Sequence, residues 1–104
     1  MTIKPVVLRE LAQQDVDEVL AHYLSEATSA AALDFIEKLE QGLAHIGRQP
    51  GTGSPRYAHE LDLPGLRFWS LKRHPFLVFY VEHDHHVDVW RILHIAIANQ
   101  NAGF

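Results

Sequence analysis

Residues 66–96 read LRFWSLKRHPFLVFYVEHDHHVDVWRILHIA, and the fold is decided by how this stretch divides. Three runs rich in aromatic and β-branched residues lie at 66–71, 76–81 and 87–95. They are separated by Lys72-Arg73-His74-Pro75 and by His83-Asp84-His85-His86. Residues of this kind suit a pleated surface. Breaks this short join antiparallel neighbours, because a parallel crossover needs about a dozen residues or more. The stretch 66–96 therefore predicts a three-stranded antiparallel meander.

Alternation along the runs assigns faces. Phe76, Val78 and Tyr80 share one side of the middle run, and Leu77, Phe79 and Val81 share the other. In the last run Val87, Val89, Arg91, Leu93 and Ile95 are expected on one side, with Trp90, Ile92, His94 and Ala96 opposite. A sheet with one wet face alternates apolar and polar residues, whereas this one is apolar on both. Each face needs a cover. The remainder of the chain supplies one, and a partner is a candidate for the second.

Upstream, residues 2–8 read as a short strand, with Pro5 marking an edge because it has no N–H for a ladder. Ala12, Val16, Val19, Leu20, Tyr23 and Leu24 recur at helical spacing and predict an amphipathic helix over about residues 10–25, with Asp15, Asp17 and Glu18 on its polar side. Ala32, Phe35, Ile36, Leu39, Leu43 and Ile46 define a second helix over 29–48, with Ser29 as its expected N-cap. The short break between the helices makes them an antiparallel αα-hairpin, about 10–48. Pro50-Gly51-Thr52-Gly53-Ser54-Pro55 ends the second helix, residues 56–63 carry no clear periodicity, and Pro64-Gly65 marks a turn. The order β-αα-βββ is an α+β fold, an N-terminal strand and a helical hairpin on one face of the 66–96 meander, forming one domain over 1–104.

Composition narrows the function classes. The absence of Cys excludes disulfides and thiolate metal sites and fits a reducing, cytoplasmic setting. No signal-like start and no apolar run near about 20 residues point away from a membrane. Nine basic against thirteen acidic residues, net −4, argue against direct nucleic-acid binding. The charge is uneven: residues 9–46 hold eight acids and two bases, whereas residues 47–104 hold six bases and five acids. Any anion-recognising site is therefore expected in the second half.

In this order the chain resembles the RelE/ParE toxin superfamily of toxin–antitoxin systems, closest to its ParE branch. Phe35-Ile36-Glu37-Lys38-Leu39, continuing through Leu43 and Ile46 to Pro50, resembles the family pattern F-I-x-x-L-x-x-x-L-x-x-L-x-x-x-P. Gly65-Leu66-Arg67 and the run from Arg73 to Tyr80 resemble its central strands, and Val89-Trp90-Arg91-Ile92-Leu93-His94 resembles its last strand, V-x-R-V-L-H. Two departures stand out. Ile97-Ala98 occupies the place where the family often has Arg-Asp after the histidine, and the first strand lacks the S-P-x-A start to the helix. The resemblance implies a type II toxin that inhibits DNA gyrase, serves plasmid stabilisation, and is neutralised by direct binding of a cognate antitoxin. Its alternatives are a RelE-like ribosome-dependent mRNA endonuclease and a non-toxic domain that retains antitoxin binding.

An endonuclease without a metal needs positioned acids, bases and cations. Arg56, Arg67, Lys72, Arg73, His74, Tyr80, Arg91 and His94 are the available groups, but Arg91 and His94 are an odd step apart and are expected on opposite faces. No catalytic residue is assigned. Antitoxin- or target-binding is assigned to Arg67, Trp69, Arg73, Tyr80, Trp90, Arg91 and His94, with a structural ion pair as the plain reading of the arginines and a buried, backbone-satisfied imidazole as that of His94. His83, Asp84, His85, His86 and Asp88 carry ligand-type side chains. A hairpin tip gives them little fixed geometry, so no metal and no cofactor are expected.

Overall fold

A computed structural model describes residues 3–100. Its elements run β1 (Val6–Leu8), α1 (Glu10–Glu26), α2 (Ser29–Arg48), a 3-10 turn (Pro50–Thr52), α3 (Arg56–Glu60), β2 (Leu66–Ser70), β3 (Phe76–Glu82), β4 (Val87–His94) and α4 (Ile95–Ala98). The strands lie in the order β1-β4-β3-β2. β2, β3 and β4 form the expected antiparallel meander. β1 adds a parallel edge, pairing Val6 with Val87 and Leu8 with Val89. The sheet is thus mixed, because the helical hairpin gives the chain a crossover long enough for a parallel return.

The strand expected over 2–8 shrinks to Val6–Leu8, and Thr2 lies outside the described residues. Pro5 sits just before it, where it lacks a donor but its carbonyl accepts the Val87 N–H at 2.9 Å. Lys4 ties the same end down through Glu82 at 2.6 Å and the His83 carbonyl at 2.7 Å. α2 starts one residue earlier in function than Ser29 implies. Thr28, with extended backbone, is the N-cap, and its hydroxyl accepts the Ala31 N–H at 3.0 Å.

The hairpin packs on one sheet face. Ala12 and Val19 from α1 and Phe35, Leu39 and Ile46 from α2 meet Phe76, Val78, Tyr80, Val87, Val89 and Ile92 in the main core. Each large apolar side chain fully buried there contributes about 1.5–3 kcal/mol. The second face carries a smaller core of Tyr57, Leu66, Leu77, Phe79, Leu93 and Ala98. Its cover comes from the chain itself: α3 brings Tyr57, α4 brings Ala98, and the Tyr57 hydroxyl donates to the Asn99 amide oxygen at 2.7 Å. The expectation that only one cover comes from this chain is thereby corrected; Phe68, Val81 and Trp90 remain half-buried on that side.

The faces predicted for β4 also need correction. Phe79 pairs with Arg91 but Tyr80 pairs with Val89, so Trp90 is an extra residue, a β-bulge. The bulge resets the alternation. Val87, Val89 and Ile92 all join the helix-side core, while Trp90 and Leu93 join the other. The strand then ends at His94 rather than Ile95. The His94 Nδ1 accepts the Ala96 N–H at 3.0 Å and caps the short α4, so the Ile97-Ala98 departure lies on a helical turn instead of an extended strand.

Candidate functional site

A broad concavity lies beside the end of β4 and the helical turn after it. Asp15, Glu18, Val19 and His22 recur at helical spacing on α1 and face Arg91–His94 of β4, with Phe76 behind and Ile97 of α4 at the rim. The hollow has a volume of about 390 Å³. Arg91 and His94 both line this depression although their register on β3, Phe79 with Arg91 through Phe76 with His94, is regular and keeps them an odd step apart. The hollow lies along the part of the β4 edge that β1 leaves unpaired.

Asp15 organises this wall. It is the buried charged residue of the core, only 7% exposed. Arg91 donates to it twice, from Nε and Nη2, both at 2.8 Å, and the Ile92 backbone N–H donates at 2.9 Å. β1 stops pairing with β4 at Val89, so the carboxylate serves the strand edge that β1 leaves behind. The Asp15 bond raises the Arg91 guanidinium above its ordinary value, with burial opposing it. Asp15 was expected on the polar side of α1. Its spacing from Ala12 and Val19, three and four residues, is the sequence signal that places it on the apolar stripe.

The other expected binding residues lie elsewhere. Tyr80 is fully buried, and its hydroxyl donates to the Pro50 carbonyl at 2.6 Å. Burial pushes its phenol up. Arg67, beside it on β2, donates from Nη1 to the Gly53 carbonyl at 2.7 Å, so both residues pin the loop after α2. Trp69 is half-buried and stacks on His45 with ring centres 4.0 Å apart. Trp90 carries the Arg9 guanidinium 4.5 Å over its ring and donates its indole N–H to Asp88 at 3.0 Å. Asp88 also takes a forked pair from Arg9 at 2.8–3.1 Å. Burial pushes the Asp88 carboxyl up, but Arg9 and Trp90 outweigh it and leave it below the usual range.

Arg73, exposed and at φ 67°, leans on Asp34 at 3.5 Å. Lys72, Arg73 and Pro75 of this turn are exposed, and His74 alone turns inward. His74 is nearly buried, with Nε2 2.8 Å from Asp34 and Nδ1 2.7 Å from the Tyr23 hydroxyl. The His74 bond, then Lys38, holds the Asp34 carboxyl below its ordinary value. An ionised Asp34 only accepts, so Nε2 donates to it, while Nδ1 pairs with the Tyr23 hydroxyl. This relay joins α1, α2 and the β2–β3 turn. His94 is exposed rather than buried, though it has the backbone partner expected of it. At the other hairpin tip His83 and His86 stack at 4.8 Å. Among the described residues no group of three or more His, Asp or Glu is arranged to hold a metal ion.

The seven expected residues thus divide among five places, and none of these assembles nucleophile, base and oxyanion donors in one cleft. Arg9, Asp15, Tyr23, Asp34 and His45 complete those places and are not among the candidate site residues of the sequence; Asp88 is among them, but as a metal-ligand type rather than as the partner of Arg9 and Trp90. Among the described residues no helix is long and apolar enough to cross a membrane.

Fold and site together define a small α+β domain whose helical hairpin and mixed sheet leave a broad hollow beside β4. The same fold is found in a solved structure titled as the chromosomal ParDE TA system from P. aeruginosa, with a TM-score of 0.73 and 20% identity, covering 88% of this chain and 96% of that one. The model of the ParE toxin of the type II toxin–antitoxin system parDE matches residues 6–98, and this chain belongs to that family. No curated protein matches the chain.

Proposed function

We propose that this chain is the toxin of a ParDE-type pair, neutralised in the cytoplasm by direct binding of a cognate antitoxin and directed against DNA gyrase. The observation that carries the reading is family membership over residues 6–98, nearly the whole chain. Two features support a binding mode of action. The side chains that would have to act on a scissile phosphate are dispersed or already engaged, Arg91 with Asp15 and Arg67 with Gly53. The hollow between α1 and β4 has an apolar floor and an exposed rim at Ile97, a shape that takes an apolar anchor from a partner. Of the expected contact residues, Arg73, Trp90 and His94 keep surface for a partner, whereas Tyr80 is enclosed.

The test is gyrase supercoiling with purified, antitoxin-free protein, run beside a translation reaction from the same preparation. Inhibited supercoiling with intact translation is expected. Loss of translation through mRNA cleavage, with gyrase untouched, would replace this reading by the RelE-like endonuclease. Normal progress of both reactions would leave a domain that binds antitoxin without toxicity.

A further inference from the structure

A second hollow, away from the one beside β4, has an unexpected charge. On α2, Lys38, His45 and Arg48 recur at helical spacing along the border of the apolar stripe, and Lys72 reaches the same place from the β2–β3 turn. Trp69 and Leu71, two residues apart on one side of the sheet, form the apolar wall. The hollow measures about 190 Å³ and no carboxylate lines it, in a chain of net charge −4. Lys38 shares its charge with Asp34 at 3.2 Å and Glu37 at 3.7 Å. The side chains of Arg48 and Lys72 have no hydrogen-bond or ion-pair partner among the described residues.

The wall is also preorganised. The His45 ring lies 4.0 Å from Trp69 at 21°, and its Nε2 is held 2.8 Å from the Thr52 hydroxyl. Gly42 makes the floor: a Cβ there would meet Leu71 at 3.0 Å and Trp69 at 3.4 Å. A glycine weakens a helix interior, so its presence in the middle of α2 marks a place where the missing side chain matters. Cations in the last turn of a helix also complement its dipole, which accounts for His45 and Arg48 but not for Lys72 or the aromatic wall.

The geometry points to a binding site for a phosphate monoester linked through a sugar to a planar base, the chemistry of a mononucleotide. The guanidinium fork of Arg48 and the ammonium of Lys72 suit a phosphate dianion, and the Trp69–Leu71 wall suits a flat, weakly polar body. The reading stands apart from the choice of toxin target.

The experiment is calorimetric titration of the full chain with AMP, adenosine and inorganic phosphate, at about 20 mM and about 200 mM salt, where screening differs strongly. AMP is expected to bind, with adenosine and inorganic phosphate each about tenfold weaker or more, and with affinity falling as salt rises. The surface variant R48A/K72A should keep its melting temperature and lose at least about tenfold in AMP affinity, leaving the weak adenosine binding unchanged. No heat from AMP at millimolar concentration would overturn the assignment. Equal AMP affinity in R48A/K72A would overturn it too, and so would a drop in that variant's melting temperature with no AMP binding in the parent, the signature of dipole compensation alone. Inorganic phosphate binding as tightly as AMP would overturn the planar-ring part of it.

Discussion

Asp15 on α1 holds Arg91 on β4 by two 2.8 Å hydrogen bonds while accepting the Ile92 N–H at 2.9 Å, so one carboxylate closes both the ion pair and the strand edge. Arg91 lies just past the bulge at Trp90, where β1 no longer pairs with β4 and α1 reaches the strand edge. Truncating Asp15 would remove two hydrogen bonds from a half-buried guanidinium and the acceptor of the Ile92 N–H. D15A should therefore cost about 2–4 kcal/mol, the lower part of the range for breaking a buried pair because Arg91 keeps some water. D15N, which can still accept from Ile92, should cost less. Urea unfolding measures both, and a loss below about 0.5 kcal/mol for D15A would show that the pair is a surface contact in energetic terms.

The start of α2 gives a sharper test between adjacent residues. Thr28 takes the Ala31 N–H, while Ser29 is already inside the helix. T28A should cost about 1 kcal/mol and S29A close to nothing, since alanine is a good helix former at an interior position. Thermal melts of the two variants decide it. The reverse ranking would move the cap to Ser29, where the sequence alone puts it.

Much of the architecture is legible in the sequence because it rests on periodicity. The breaks at 72–75 and 83–86 fix three adjacent strands, and the stripes from Ala12 to Leu24 and Ala32 to Ile46 fix the hairpin. What periodicity cannot read is a change of phase. The extra residue at Trp90 flips Ile92 and Leu93 to faces opposite those expected. Short elements escape for a related reason. α3 and α4 span five and four residues, too few to show a period, yet they supply Tyr57 and Ala98 to the second core. The dispersed site is hard to read because its partners, such as Asp34 for His74 or Asp88 for Arg9, are tens of residues apart in the chain.

Gly53 and Tyr80 should behave as one unit. A Cβ on Gly53 would collide with the Tyr80 hydroxyl and come within 3.0 Å of the Phe68 carbonyl oxygen. G53A is expected to destabilise by about 1–3 kcal/mol through overpacking, and Y80F by about 1 kcal/mol through loss of the bond to Pro50. Removing the hydroxyl also makes room for the methyl, so the double variant should lose less than the sum of the two. Strict additivity in denaturant midpoints would place the clash elsewhere, at the Phe68 carbonyl.

Asp34 and Asp88 set the response to acid. Both carboxyls lie below the ordinary value of 3.8 in the folded chain, Asp34 chiefly through His74 and then Lys38, and Asp88 because Arg9 and Trp90 outweigh the effect of burial. A depressed carboxyl binds fewer protons folded than unfolded. Its stabilisation is complete above the unfolded value and is lost as pH falls through the folded one. These two groups should thus leave the melting temperature flat from neutral pH to about pH 4 and lower it progressively below that. The variant D34N/D88N should melt at a lower temperature than the parent at pH 7, because it lacks the ion pairs, and should fall less steeply in the acid range. Melting curves recorded between pH 7 and about pH 2 read both effects at once. If the acid limbs of parent and variant run parallel, other carboxylates govern the transition, and Asp15, closed between Arg91 and Ile92, becomes the next position to neutralise.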